Sequence, residues 1–171
     1  MKKLVTATIG LIMLAVSGAS FASSYYKCLK TKPVKFDGTI AEAAIATDSL
    51  STLVFALQEA GLVDALNGGG NFTVYAPVNE AFGALPPEIL NAVLADKDLL
   101  TAVLLYHVAE GKKDPRRAFI PKKVSTLFGQ TVFLNRSGST PRVNNSNVEC
   151  QPVKTSNGTV YLIDSVLMPQ F

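Results

Sequence analysis

Few side chains in this sequence could do chemistry. His107 is its one histidine, Cys28 and Cys150 are its two cysteines, and Lys112, Lys113, Arg116, Arg117, Lys122 and Lys123 place six cations within twelve positions. As a general base, His107 would need a nucleophile within hydrogen-bond reach and an acid to orient its ring. Asp164 and several serines are available, but no Gly-x-Ser-x-Gly turn presents any of them. The simpler expectation is a histidine hydrogen-bonded inside the core at a helix-to-strand junction, with Asp164 bonded to neighbouring backbone or to His107. One histidine and two cysteines without Cys-x-x-Cys spacing make a thin zinc ligand set. Gly68-Gly69-Gly70 lacks the Lys-Ser/Thr of a phosphate loop and precedes a strand pattern, so it reads as a connector.

The six cations could form a patch facing anionic sugar or lipid headgroups. Asp114 and Pro115 interrupt the run, and that interruption favours the plainer reading of a solubilising loop. Nucleic acid is not suggested. Without Lys2 and Lys3, which belong to a leading segment, 14 basic residues face 13 acidic ones, and no Lys/Arg-rich run suggests a nucleic-acid partner.

That leading segment, residues 1–22, has the form of a secretory signal. Two lysines precede an apolar centre, Leu4 to Val16, and Ser20-Phe21-Ala22 offers small residues where a signal peptidase reads. An apolar run of roughly 13 residues is short for a membrane span, and an uncleaved anchor is the alternative. Cys28 follows Tyr25-Tyr26-Lys27 and so lacks the small residues of a lipidation site. In an oxidising compartment two cysteines most often pair, the other reading being two buried thiols.

Several elements must position these groups. Residues 23–38 are polar, carry Pro33 and read as an extended arm. A helical stretch follows, with Asp48 or Ser49 as a cap, Leu53, Val54, Leu57 and Ala60 on one face, and Gly61 at a helix end. In "NFTVYAPVNEAF" Phe72, Val74 and Ala76 share one strand face and Thr73 and Tyr75 the other. Pro77 stops the strand, and Asn79 is expected to cap the helix that carries Phe82 and Leu85. Two more helical segments start at Pro87 and after Asp96, and Tyr106-His107-Val108 leads into a strand. The last third is β-branched, aromatic and cut by turns, with Asn157-Gly158 as a hairpin signal. Helices first and strands later indicate an α+β domain.

Four separated stretches resemble fasciclin-type domains. "FTVYAPVNEAFGALP" (72–86) is similar to the first signature, with Phe72, Pro77, Asn79 and Phe82. "LLTAVLLYHVAEGK" (99–112) is similar to the central segment, with Tyr106 and His107. "STLFGQTV" (125–132) fits the strand between, and "NGTVYLIDSVLMP" (157–169) is similar to the closing signature, with Asn157, Gly158, Asp164 and Pro169. The resemblance implies a helical cluster packed on a β-sheet wedge over residues 39–171. It also resembles small secreted bacterial single-domain members, in which one disulfide ties an N-terminal arm to the strand region near the C-terminus; here that implies Cys28 with Cys150. The Met-Lys-Lys start agrees with a bacterial exporter, where the Asn-x-Ser/Thr patterns at Asn71, Asn135, Asn144 and Asn157 are inert.

The function the resemblance implies is non-catalytic and cofactor-free: a secreted or periplasmic interaction module for cell adhesion or contact with a surface or matrix protein or polysaccharide. Animal members that bind integrins carry Asp-Ile where this chain has Pro152-Val153, no Arg-Gly-Asp occurs, and Tyr161 stands where the closing signature often has His. A small-molecule or lipid-binding protein with an apolar cleft between helices and sheet is the alternative. A hydrolase built on His107 is a third reading.

Overall fold

The structure is a computed structural model that describes residues 26–118 and 120–171. The signal expected at 1–22 and the first residues of the arm lie outside the described residues. Residues 26–30 are helical. In chain order there follow β1 (Val34–Lys35), α1 (Ile40–Ile45), α2 (Ser51–Ala60), α3 (Val63–Asn67), β2 (Phe72–Pro77), α4 (Asn79–Gly83), α5 (Pro87–Ala95), α6 (Lys97–Tyr106) and β3 (Val108–Glu110). Six more strands complete the chain: β4 (Lys122–Ser125), β5 (Thr131–Ser137), β6 (Thr140–Val143), β7 (Ser146–Asn147), β8 (Val153–Lys154) and β9 (Gly158–Ile163). The fold is α+β. One sheet has the order β1-β8-β9-β2-β3 and the other β4-β5-β6-β7.

Alternation along β2 and β9 explains the layers. The strands run parallel in register from Phe72↔Gly158 to Pro77↔Ile163. Successive side chains point to opposite faces. Val74, Ala76 and Val160 therefore meet the helices, in a core with Ile40, Leu50, Leu57, Phe82, Leu100 and Val103. Tyr75, Tyr161 and Ile163 face the other way and meet Val124, Val132, Leu134 and Val143 of the second sheet. Burying a large apolar side chain is worth about 1.5–3 kcal/mol, so a strand buried on both faces contributes to two cores at once. The first-half strand β2 pairs with the last strand of the chain, so the helices-then-strands order along the sequence does not separate the layers in space.

Local signals hold the helices. Thr39 and Glu42 form a reciprocal capping box at α1. Gly61 takes the left-handed conformation (φ 72°) that ends α2. Pro87 opens α5, and Asp96 Oδ1 accepts the Asp98 and Leu99 amides at 2.9 and 3.0 Å.

Two expectations are corrected. Asp48 and Ser49 do not cap α2; Asp48–Leu50 is a 3₁₀ turn without a side-chain cap. Asn79 does not cap its own helix, since Val78 stands at that boundary. Asn79 Oδ1 instead accepts the Thr52 amide of α2 at 3.0 Å, and its Nδ2 donates to the Asp48 carbonyl and to Ser51 Oγ. One amide side chain thus supplies the cap that α2 lacks. The hairpin signal at Asn157-Gly158 falls where β8 and β9 pair antiparallel (Lys154↔Thr159), with three residues between the strands and Gly158 opening β9. Buried Asn157 receives the Ile40 amide on Oδ1 at 2.9 Å and donates through Nδ2 to the Leu66 and Gly68 carbonyls, joining α1 to the end of α3. Gly158 is required by close approach: a Cβ there would collide with the Phe72 carbonyl and lie 2.7 Å from Ile40 Cδ1.

The arm is fastened twice. Cys28 and Cys150 form a disulfide with a sequence separation of 122. β1 runs parallel to β8, and the Val34 and Phe36 amides donate to the Pro152 and Lys154 carbonyls at 2.9 Å each.

Gly158→Ala is expected to lower unfolding free energy by about 1–3 kcal/mol, the usual cost of overpacking, and Asn79→Ala by about 1–2 kcal/mol, the cost of a lost cap. Equilibrium urea denaturation measures both. A Gly158→Ala variant as stable as the parent would contradict the tight β2–β9 contact.

Candidate functional site

His107 follows α6, where the chain turns into β3, and is 2% exposed. The Leu167 amide donates to Nε2 at 2.9 Å. Nδ1 lies 2.7 Å from the Val103 carbonyl oxygen, so Nδ1 carries the proton and donates. Both ring nitrogens are committed to backbone, and no serine hydroxyl or carboxylate is among their partners. Burial pushes the imidazole down to about 4, and the bond to Val103 offsets only part of that. Asp164 does not reach His107, contrary to one expectation. Its carboxylate accepts the Asn147 amide at 2.8 Å, Asn147 Nδ2 at 2.6 Å and the Ser165 hydroxyl at 3.1 Å. Tyr106 donates its hydroxyl to the Thr131 carbonyl and accepts Asn144 Nδ2. The Tyr-His pair therefore pins α6 to the second sheet on one side and to the C-terminal segment on the other. Pro169 is buried in that segment. These are shape-fixing contacts.

The cations divide. Lys112, Lys113, Arg116, Arg117 and Lys122 line one cleft of about 510 Å³. Lys123 does not: strand alternation turns it to the opposite face of β4, with Nζ 5.8 Å from the Phe133 ring centroid. Lys154 of β8 takes its place on the far wall, beside Pro33 and Pro152. The cleft thus holds six cations and one carboxylate, Asp114.

Its loop wall is tied to β2. Thr73 Oγ1 donates to the Gly111 carbonyl at 2.6 Å and accepts the Lys113 amide at 3.0 Å, and the Tyr75 hydroxyl donates to the Lys113 carbonyl. Arg116 joins this wall to the arm. Its Nε and Nη2 donate to the two oxygens of Asp114 at 3.0 and 2.9 Å, and Nη1 donates to the Thr31 and Cys150 carbonyls at 3.0 and 3.1 Å. Arg116 is 7% exposed, so it belongs to the frame of the patch and does not present charge to solvent, as its place in the run suggested. Burial pulls the guanidinium pKa down, but Asp114 more than offsets this and leaves it raised. Arg116 also lies 5.8 Å above the Tyr161 ring. Burial raises the phenol of Tyr161, the tyrosine in the cleft lining, and Asp114 raises it further, so this part of the lining is neutral.

Lys154 and Tyr161 were not singled out by the run of cations. A pairing of Cys28 with Cys150 carries the signal that could have found Lys154, because it draws the segment after Cys150 alongside the arm. The apolar gap among Phe82, Leu90, Val93, Leu104 and Val166 holds about 20 Å³, against roughly 300–1,000 Å³ for small-molecule sites. Interdigitated side chains fill the space that a lipid-binding cleft would need. Among the described residues there is no group of three or more His, Cys, Asp or Glu placed to hold a metal, and no helix is long and apolar enough to cross a membrane.

A fasciclin domain model matches residues 48–169. Immunogenic protein MPB70 of Mycobacterium bovis is 40% identical over 135 residues, covering 76% of this chain and 68% of that one. Cell surface glycolipoprotein MPB83 of the same species is 41% identical over 135 residues, 76% of this chain and 60% of its own. Protein sll1483 of Synechocystis is 38% identical over 133 residues, 77% of this chain and 73% of its own. Among solved structures, a FAS1 domain pair from the insect cell adhesion molecule fasciclin I superposes with a TM-score of 0.56 at 23% identity, covering 70% of this chain and 45% of that one. That likeness supports the fold.

The buried imidazole generates a prediction of its own. Between the unfolded value near 6.5 and the folded value of about 4, the unfolded chain binds a proton that the folded chain refuses. The contribution is complete above pH 6.5 and is lost as pH falls toward 4, by about 3 kcal/mol in total. Urea denaturation from pH 7.5 to 4 should show this slope, and His107→Leu, though less stable at pH 7.5, should lack that part of it. An identical slope in the variant would contradict the sealed, neutral ring.

Proposed function

The chain belongs to the fasciclin domain family, and from that premise we propose that it is an exported, non-catalytic interaction module. It contacts a cell surface or matrix through exposed loops and strand edges, and no bond is made or broken. The observation that carries this reading is a contrast within one molecule. The single histidine is sealed with both nitrogens engaged, while a cleft lined by cations stands open on a braced frame. A base without access to solvent or to a nucleophile has no route to proton transfer. An open, braced surface is suited to docking.

The names of similar proteins support surface contact: one relative is called a cell surface glycolipoprotein and the solved structure comes from a cell adhesion molecule. The disulfide supports an oxidising, exported location, secreted or periplasmic. The partner class is a surface or matrix protein or polysaccharide. The near balance of charge in residues 23–171 argues against nucleic acid.

Purified exported protein is expected to start at Ser23 by mass spectrometry, to co-sediment saturably with cell-envelope or matrix material, and to show no turnover on ester, peptide and glycoside substrates. Turnover abolished by His107→Gln, or no retention on any envelope or matrix fraction, would overturn the proposal.

A further inference from the structure

We propose that the cleft between the basic segment (residues 111–118, with Lys122 at the start of β4) and the arm-bound strand β8 seats an acidic sugar unit of a surface polysaccharide, its carboxylate or sulfate held by Lys112, Lys113, Arg117, Lys122 and Lys154. The inference rests on the reading of the chain as an interaction module and names the chemistry of its partner.

The first support is charge placement. The whole sequence has 16 basic and 13 acidic residues, yet six cations and a single carboxylate share this cleft. Asp114 is already spent on Arg116, through two oxygens at 3.0 and 2.9 Å, and on a longer, solvent-exposed pair with Arg117 Nε at 3.5 Å. It therefore cannot neutralise the lysines around it. Lys112, Arg117, Lys122 and Lys154 are exposed, and a cleft lined by one sign of charge focuses the field on an incoming anion.

The second support is the frame. Lys112 and Lys113 stand on backbone that Thr73 and Tyr75 tie to the central strand. Lys154 comes from a strand more than thirty residues later, beside the arm. The disulfide and Arg116 clamp the two walls, since Nη1 of Arg116 reaches carbonyls of both the arm (Thr31) and the disulfide segment (Cys150). A ligand finds the walls already placed, and pre-placement lowers the entropic cost of binding.

The third support is the lining between the charges. A space of about 510 Å³ lies within the range of small-ligand sites. Exposed Pro33 offers apolar surface to the C–H face of a sugar ring, and half-buried Thr159 offers polar contact. A bilayer surface fits less well. A flat array of headgroups does not enter a concave site, and membrane docking gains most from buried apolar area, of which Ile120 is the large exposed residue among the described residues of the basic loop.

Two double variants test this with equal loss of charge. Lys122→Gln/Lys154→Gln removes one cation from each wall. Lys97→Gln/Lys123→Gln removes two from elsewhere. Calorimetric titration uses a galacturonate tetramer, a heparin-derived tetrasaccharide, a neutral maltotetraose and anionic phospholipid vesicles, each at 50 and 300 mM salt. One of the two acidic oligosaccharides should bind the parent, which identifies carboxylate or sulfate as the anion. Binding should weaken with salt. It should fall about tenfold in the cleft variant and stay near the parent value in the control. Equal loss in both variants, or binding to vesicles with none to either acidic oligosaccharide, would overturn the inference. Retention on envelope material that the acidic oligosaccharides cannot compete would overturn this inference alone and leave the interaction module standing. Absence of any retention would remove both.

Discussion

The parallel contact between β2 and β9 is the constraint on which the rest of the molecule depends. It joins a strand in the first half of the chain to the last strand, in register over six residues. One face of the pair is the floor of the helical core, and the other is half of the sheet–sheet core. The contact is close enough that only hydrogen fits on Cα of Gly158. The residue before it spends its amide on α1 and on the end of α3, so the same corner that starts β9 also places two helices. The sealed His107 is a consequence of this arrangement. Its backbone partners lie on α6 and on the segment after β9, and the ring fastens one to the other.

A second, smaller junction makes the surface. Arg116 is a buried charge, and a buried charge persists only when it is paired and its donors are satisfied. Asp114 supplies the pair and two distant carbonyls supply the rest. The junction draws arm, disulfide and basic loop together, and the cations left over, four lysines and Arg117, line one cleft. The guanidinium that is most engaged structurally is the one withdrawn from solvent. Stability and recognition are thus assigned to different members of one run of cations.

Much of this was legible in the sequence where the controlling physics is local. The period-2 pattern of Phe72 to Ala76 gave both faces of β2, Pro77 its end, Gly61 a helix stop and Asp96 a cap. The resemblance to fasciclin-type domains correctly implied the family and the layered α+β fold. What local reading missed is long-range in origin. Asn79 caps a helix whose first turn lies 27 positions earlier in the chain, and Gly158 is small because of Phe72. The run of cations offered a patch as one reading and a solubilising loop as the favoured one; in the fold strand alternation removes Lys123, burial removes Arg116 and pairing of β8 with β1 adds Lys154. Composition can count charges; only the closed chain says which of them share a wall.

Amide hydrogen exchange, read residue by residue, tests the central claim most directly when the exported protein is bound to acidic polysaccharide from its own envelope. A braced body that docks through its cleft without rearranging should gain protection at 111–118 and at 152–159, with the helical face and the amides around His107 unchanged. Protection centred on the helices α2 to α5, or new exchange at Leu167 showing that the ring of His107 is released on binding, would contradict it.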